Sequence, residues 1–328
     1  MMQEEQLTVP SVASFFSGIG GFDLAFERAG FHITMQCEID PFCNRILTKH
    51  WPQVRKYKDI REVKYADVPS SDIWVGGFPC QDISLARMGS RTGLKGKRSS
   101  LFYEFARLIG ECLPPIIVLE NVSGLRNSHG GRDFQAIIHT LAEFGYGVGW
   151  RVLNSKYFGV PQSRQRVYIV GCYRERRGAA EILFEPECSR GDNTPGGQDE
   201  QETISTFKAS FGDFSKGPIV QGLAYCLYAC SARHTGTDWS RTYVSYPDGR
   251  VRRLMPSECE GIQGFPENWT LPIDSLEDLD KLDTLRYTAL GNAVTVPAVE
   301  WLAKRIPPVL RRMKETSFTE VTSQKMTV

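Results

Sequence analysis

Cys80 lies in Phe78-Pro79-Cys80-Gln81, directly after Asp72-Ile73-Trp74-Val75-Gly76-Gly77, an apolar run that reads as a buried strand ending in glycines. A single thiol is thereby presented at a strand's carboxyl end, where open α/β sheets hold their ligands. Two further polar signatures flank apolar runs. Glu120-Asn121-Val122 follows Pro115-Ile116-Ile117-Val118-Leu119, and Gln162-Ser163-Arg164-Gln165-Arg166 precedes Val167-Tyr168-Ile169-Val170-Gly171. A thiol, a carboxylate and two guanidiniums are the groups needed to add a nucleophile to a pyrimidine. Carbon 5 of cytosine is too weak a nucleophile to take a methyl group from a sulfonium. A thiolate added at carbon 6 turns the ring into an enamine whose carbon 5 can attack, which divides one hard step into two. Glu120 could stabilise ring nitrogen 3 by a proton or hydrogen bond, and one of Arg164 and Arg166, two apart beside a strand, should face the same pocket.

The sulfonium donor has its own candidate site. Val12 to Phe16 is a short apolar run broken by Ser17-Gly18-Ile19-Gly20-Gly21, and Phe22, Leu24, Ala25, Phe26 and Ala29 then predict a helix ending at Gly30. Glu38, at the end of the next strand, stands 20 residues beyond Gly18. A glycine turn with an acid at that distance suits an adenosine ribose. The third glycine of a dinucleotide fingerprint would fall at position 23, which is Asp23. The spacing therefore disfavours a nicotinamide dinucleotide and favours an adenosine ligand without phosphates, S-adenosylmethionine.

Elements that could position these groups alternate along the first half of the chain: strands before Cys80 and Glu120, helices over 101–112 and 134–144, and a hairpin-like pair at 149–152 and 167–171. Such alternation predicts an α/β fold with a doubly wound, mostly parallel sheet. Beyond Gly171 the pattern weakens, and 203–283 mixes aromatics, glycines and charges without helical period. We expect a catalytic and cofactor-binding domain over 1–171, a smaller target-recognition domain over 172–283, a segment 284–306 returning to the first domain, and a polar tail 307–328. Pro41 should open a helix, and Pro307-Pro308 should end the helix that runs through Trp301 and Ile306.

Composition narrows the class. With 328 residues, 41% hydrophobic content and a net charge of +1, the chain can form a real core but carries no global basic field. Any nucleic-acid contact must be local. Residues 85–100 supply Arg87, Arg91, Lys95, Lys97 and Arg98 among glycines and serines. The nine cysteines are scattered, and no apolar stretch approaches the roughly 18 residues of a membrane span. A reducing cytosol and no membrane association are expected. Cys226, Cys230 and His234 are spaced like zinc ligands but have no evident fourth partner, so no metal is expected.

In their order and wording these segments resemble the DNA (cytosine-5)-methyltransferases of bacterial or phage type. The likeness runs from Phe16-Ser17-Gly18-Ile19-Gly20-Gly21-Phe22 through the three signatures above to Arg286-Tyr287-Thr288-Ala289-Leu290-Gly291-Asn292-Ala293-Val294, sparing roughly 172–250. The resemblance implies Cys80 as nucleophile, Glu120 at ring nitrogen 3, Arg166 at the cytosine carbonyl and Arg164 in support. It also implies an S-adenosylmethionine pocket formed by Phe16, Gly18, Ile19, Gly21, Glu38, Ile39, Asp59, Ile60, Pro79, Leu101, Asn292 and Val294. The family often has an aspartate where this chain has Ser14, which puts one local hydrogen bond in doubt.

Duplex DNA would be the partner, its target cytosine swung out of the stack. Residues 85–100 would close over that base, and Arg233, His234, Thr235, Thr237, Trp239, Arg241, Arg252 and Arg253 would offer groups for base edges and phosphates. A monomer, with a cognate restriction endonuclease as companion, fits the resemblance. Transfer RNA methylation by the same chemistry and a non-catalytic DNA-binding homologue are the alternatives. A pure binder, however, has no use for the thiol.

Overall fold

The computed structural model describes residues 9–79, 101–185, 219–220, 224–227, 242–246, 248, 250–273 and 278–325. Its first half is β1 (Ser11–Phe15), α1 (Gly21–Arg28), β2 (His32–Cys37), α2 (Pro41–His50), β3 (Arg55–Tyr57), β4 (Ile73–Gly76), α3 (Leu101–Cys112), β5 (Ile116–Val122) and α4 (Arg132–Glu143). There follow β6 (Tyr146–Asn154), β7 (Gln162–Ser163), β8 (Gln165–Tyr173) and α5 (Gly178–Leu183). The rest comprises β9 (Ile219–Val220), β10 (Ala224–Tyr225), β11 (Tyr243–Ser245), β12 (Val251–Arg253), α6 (Pro256–Gln263), α7 (Leu279–Asn292), α8 (Val296–Ala303) and α9 (Ile306–Lys325).

Seven strands form one sheet in the order β3-β2-β1-β4-β5-β8-β6, in which β8 alone runs against its neighbours. Their side chains alternate between two buried faces, as the two-residue period requires. Ile73 and Val75 of β4, Ile116 and Val118 of β5, and Tyr168 and Val170 of β8 enter one cluster. The intervening Trp74, Ile117, Leu119, Val167 and Ile169 enter the other. Helices cover both faces. Phe102, Phe105, Ala106 and Ile109 of α3, spaced at helical period, pack with Phe134, Ile137 and Leu141 of α4 on the second face. Phe22 and Phe26 of α1, Ile46 and Leu47 of α2 and Val299 and Leu302 of α8 pack on the first. Each such side chain contributes roughly 1.5–3 kcal/mol, so the sheet is a rigid platform for whatever its strand ends carry.

The chain leaves β1 for β2 on one side and returns to β4 on the other. A crevice therefore opens at the carboxyl ends of β1 and β4, where Phe15 pairs with Gly76. The turn beyond β1 begins α1 at Gly20, with φ of 82°, and α1 closes in a Schellman turn in which Phe31 N–H donates to Phe26 O and Gly30 N–H to Glu27 O. Asp40 caps α2 by accepting from Cys43 N–H at 2.9 Å, with Pro41 at the first helical position as expected.

Three features differ from the sequence expectation. Glu120 and Arg166 lie inside strands β5 and β8 rather than beside them. Residues 256–263 form a helix, and Cys259 and Ile262, with the following Phe265 and Trp269, join the same buried cluster as α1. Its inward Glu260 and Gln263 are polar and hydrogen-bonded, which hid the apolar period. Pro307 and Pro308 do not end a helix but occupy the first turn of α9, where a missing N–H costs nothing, and Val309 and Leu310 are buried behind them.

Candidate active site

One cavity of about 560 Å³ occupies the crevice, and all twelve residues expected to hold the cofactor line it. Glu120, Arg164 and Arg166 line it too. Two separate readings of the sequence thus meet in a single space. Cys80 lies outside the described residues, as do 85–100 and Arg233 to Arg241, so their placement is not described. Pro79, one residue before the thiol, is at the cavity wall.

The glycine turn is built by backbone geometry. Phe16 and Gly18 both adopt positive φ, and Gly18 N–H donates to the Glu38 carboxylate at 2.7 Å. Asp40 N–H donates to the other Glu38 oxygen at 2.8 Å. Burial nonetheless holds the Glu38 carboxyl above its ordinary range, and the two backbone donors offset part of that shift. Gly21 allows a close approach from the opposite wall: a Cβ there would fall 2.7 Å from Val294 Cγ2.

The residue in place of the family aspartate finds its acid elsewhere. Ser14 donates from Oγ to Asp23 Oδ2 at 2.9 Å, and Gln36 Nε2 donates to Asp23 Oδ1 at 2.8 Å. Complete burial pushes the Asp23 carboxyl up to about 6, against the pull of those two donors. Gln36 Oε1 itself has no hydrogen-bond partner among the described residues.

The Glu120 carboxylate is placed by antiparallel pairing. Glu120 lies opposite Tyr168, and Val122 opposite Arg166, so Glu120 and Arg166 are diagonal neighbours on one face. Arg166 Nε meets Glu120 Oε1 at 3.0 Å. Burial raises the Glu120 carboxyl above the usual carboxylate range, and Arg166 and then Arg164 offset part of that rise. The next residue along β5 serves the loop that carries Cys80: Asn121, buried, donates from Nδ2 to Phe78 O at 2.8 Å.

The two arginines do different work. Arg166 faces the carboxylate. Arg164 is 1% exposed and is engaged by backbone carbonyls, donating to Leu227 O, Gly291 O and Ala293 O. Cys226 Sγ lies 3.4 Å from Arg164 Nη1 and 3.9 Å from Arg166 Nη2, while Cys230 and His234 lie outside the described residues. No metal-binding group of three or more His, Cys, Asp or Glu occurs among the described residues, and no helix among them is long and apolar enough to cross a membrane. Arg252 is committed to Glu258 through two contacts of 2.7 and 2.8 Å and to Tyr246 Oη at 2.9 Å.

Trp269 supports the site from 250 residues away, with no signal in the local sequence. Its Nε1 donates to Ile19 O at 2.8 Å, and its ring stacks on His50 with 3.4 Å between centroids. Trp269→Phe keeps a ring there but leaves the turn carbonyl without its donor. At about 1 kcal/mol for such a bond, cofactor affinity is expected to fall roughly fivefold while kcat at saturating cofactor stays within about twofold. Calorimetric titration with S-adenosylhomocysteine checks this, and unchanged affinity would refute it.

The profile of the C-5 cytosine-specific DNA methylases matches residues 11–216 and 184–307. The type II methyltransferase M1.ScrFI of Lactococcus lactis subsp. cremoris is 32% identical over 92% of this chain and 78% of its own length. The type II methyltransferase M.MthTI of Methanothermobacter thermautotrophicus is 31% identical over 90% of this chain and 96% of its own. Among solved structures, the S. pombe Dnmt2 methyltransferase superposes with a TM-score of 0.68 at 20% identity, covering 92% of this chain and 99% of that one. That last likeness concerns the fold.

Proposed function

The chain belongs to the C-5 cytosine-specific DNA methylase family and is a DNA cytosine-5 methyltransferase, and from that premise we propose that it methylates one cytosine within a specific duplex sequence through transient covalent attack by Cys80 on an extruded base. The observation that carries this reading is the shared cavity, lined both by the glycine turn with Glu38 and by the Glu120–Arg166 pair. A base held beside that pair shares the cavity with a methyl donor held by the turn.

S-adenosylmethionine use follows from the family, and the wall chemistry suits it. Phe16, Ile39 and Ile60 offer apolar faces, while Glu38 and Asp59 offer acceptors near a cationic ligand. When bound, it supplies an electrophilic methyl group. The chain's own residues do the rest. The Cys80 thiolate adds to carbon 6, Glu120 meets the charge at nitrogen 3 with a proton or hydrogen bond, and Arg166 orients both the carboxyl and the base carbonyl. Once carbon 5 carries the methyl group, its proton passes to solvent water acting as base, and the C5–H electron pair forms the 5,6 double bond as the C6–S bond breaks, which restores the aromatic ring and frees the Cys80 thiolate.

In this reading residues 1–171 and 284–306 form the catalytic unit and 172–283 read the DNA, the part over 256–269 also packing into the catalytic core. Residues 85–100 close over the base, and the protein acts as a cytosolic monomer beside a cognate endonuclease. Labelled S-adenosylmethionine, offered with duplex DNA of diverse sequence and separately with transfer RNA, tests the reading. 5-Methylcytosine at one recurring duplex site is expected. Label in transfer RNA alone would shift the substrate to RNA, and label in neither would remove the catalytic claim.

A further inference from the structure

Arg164 joins two segments that the proposed function assigns to different ligands. Its Nη1 donates to Leu227 O at 2.8 Å, within the segment continuing from β10, while Nη2 donates to Gly291 O at 2.9 Å and Ala293 O at 2.8 Å. Gly291 and Ala293 flank Asn292 and lead to Val294 on the cofactor wall. The segment around Leu227 belongs to the region expected to read DNA, and β10 adds in parallel to β7, Ala224 beside Gln162 and Tyr225 beside Ser163.

Gln162 repeats the connection. Its Oε1 accepts from Leu227 N–H at 3.0 Å, and its Nε2 donates to Gln263 Oε1 at 3.2 Å. Gln263 Nε2 in turn donates to Leu290 O at 2.9 Å, and Thr295 Oγ1 donates to Gln263 Oε1 at 2.9 Å. Both glutamines are fully buried. No water competes for these bonds, so either segment moving away strands polar atoms in the interior.

We infer that Gln162 and Arg164 form a clamp that makes target-DNA binding and cofactor binding reinforce each other. The guanidinium is a rigid plane whose two Nη atoms cannot move independently. Leu227 O fixes one edge of that plane, and Gly291 O with Ala293 O fixes the other. Among the described residues Arg164 Nε has no acceptor, so the described grip on the two segments lies on those edges. DNA that seats the 224–227 segment sets the guanidinium, and the set guanidinium holds the 291–293 carbonyls that shape the cofactor wall. By linkage the effect must run equally in the other direction. Arg164 and Gln162 are thus positioning residues. The clamp rests on the reading of 172–283 as the DNA-recognising region.

The test is a coupling factor: the ratio of S-adenosylhomocysteine dissociation constants without and with a short duplex carrying the methylated site. In the wild type this factor should be at least about fivefold. Arg164→Lys keeps a charge but cannot span both carbonyl sets, so the factor should fall to about one while each ligand still binds alone. Gln162→Met removes the acceptor for Leu227 N–H and should lower the factor partway. A wild-type factor near one overturns the clamp, as does an Arg164→Lys protein that binds both ligands with the wild-type factor. If Arg164→Lys fails to fold, an unchanged factor in Gln162→Met overturns it. Failure of the wild type to make 5-methylcytosine in DNA would instead overturn the functional reading, which separates the two claims.

Discussion

Replacing Cys80 with alanine is expected to lower the methylation rate by more than about 10⁴-fold, equivalent to over about 5 kcal/mol in the barrier. Without the thiol the carbon 6 bond of the proposed mechanism is not made, so the loss should fall on kcat. Affinity for S-adenosylhomocysteine should hold, because the substitution removes only the sulfur and leaves the residues expected to hold the cofactor unchanged. Duplex DNA containing 5-fluorocytosine gives the sharper measurement. After methyl transfer, carbon 5 holds fluorine where a proton would have left, and fluorine cannot depart as a cation. The wild-type thioether should therefore survive denaturation, and Cys80→Ala should show no adduct on gels. A persistent adduct in the variant would assign the bond to another residue. A wild type that methylates DNA yet forms no adduct would refute covalent catalysis.

What the sequence made legible follows from the range of the forces involved. The strand ends at Gly76 and Leu119 could be read because buried strands leave continuous apolar runs, and the glycine turn could be read because only glycine tolerates the geometry at Gly20. The doubly wound sheet and the grouping of Glu38 with the turn followed from these local signals. Contacts that close over long separations left no such trace. Trp269 N–H meets Ile19 O across 250 residues, and Arg164 reaches Gly291 across 127. Arg164 read as support for Arg166, and the backbone carbonyls of Leu227, Gly291 and Ala293 that it engages lie too far along the chain to be read from the sequence. Helix α6 escaped notice because Glu260 and Gln263 face inward and make buried hydrogen bonds, and inward polar residues erase the apolar period on which such readings depend.

Glu120→Gln is expected to reduce kcat by roughly 10²–10³-fold, within the usual contribution of a positioned acid. Glutamine nearly matches the shape and keeps an oxygen to accept from Arg166 Nε, so base placement should survive. An amide N–H can still donate to ring nitrogen 3 but cannot transfer its proton, which leaves partial rather than zero activity. The pH dependence supplies the decisive sign. Burial raises the Glu120 carboxyl, so its protonated fraction persists above the ordinary carboxylate range and declines as pH climbs through its own higher value. Wild-type kcat should therefore fall with rising pH across that window, and Glu120→Gln should show no such fall. Folding stability carries the same sign. A carboxyl raised by burial favours the native state most at low pH, and that contribution is lost as pH rises through the raised value. The variant should lose this pH dependence as well. Matching kcat profiles in wild type and Glu120→Gln would show that the carboxyl does not act as the acid, whatever its distance from Arg166.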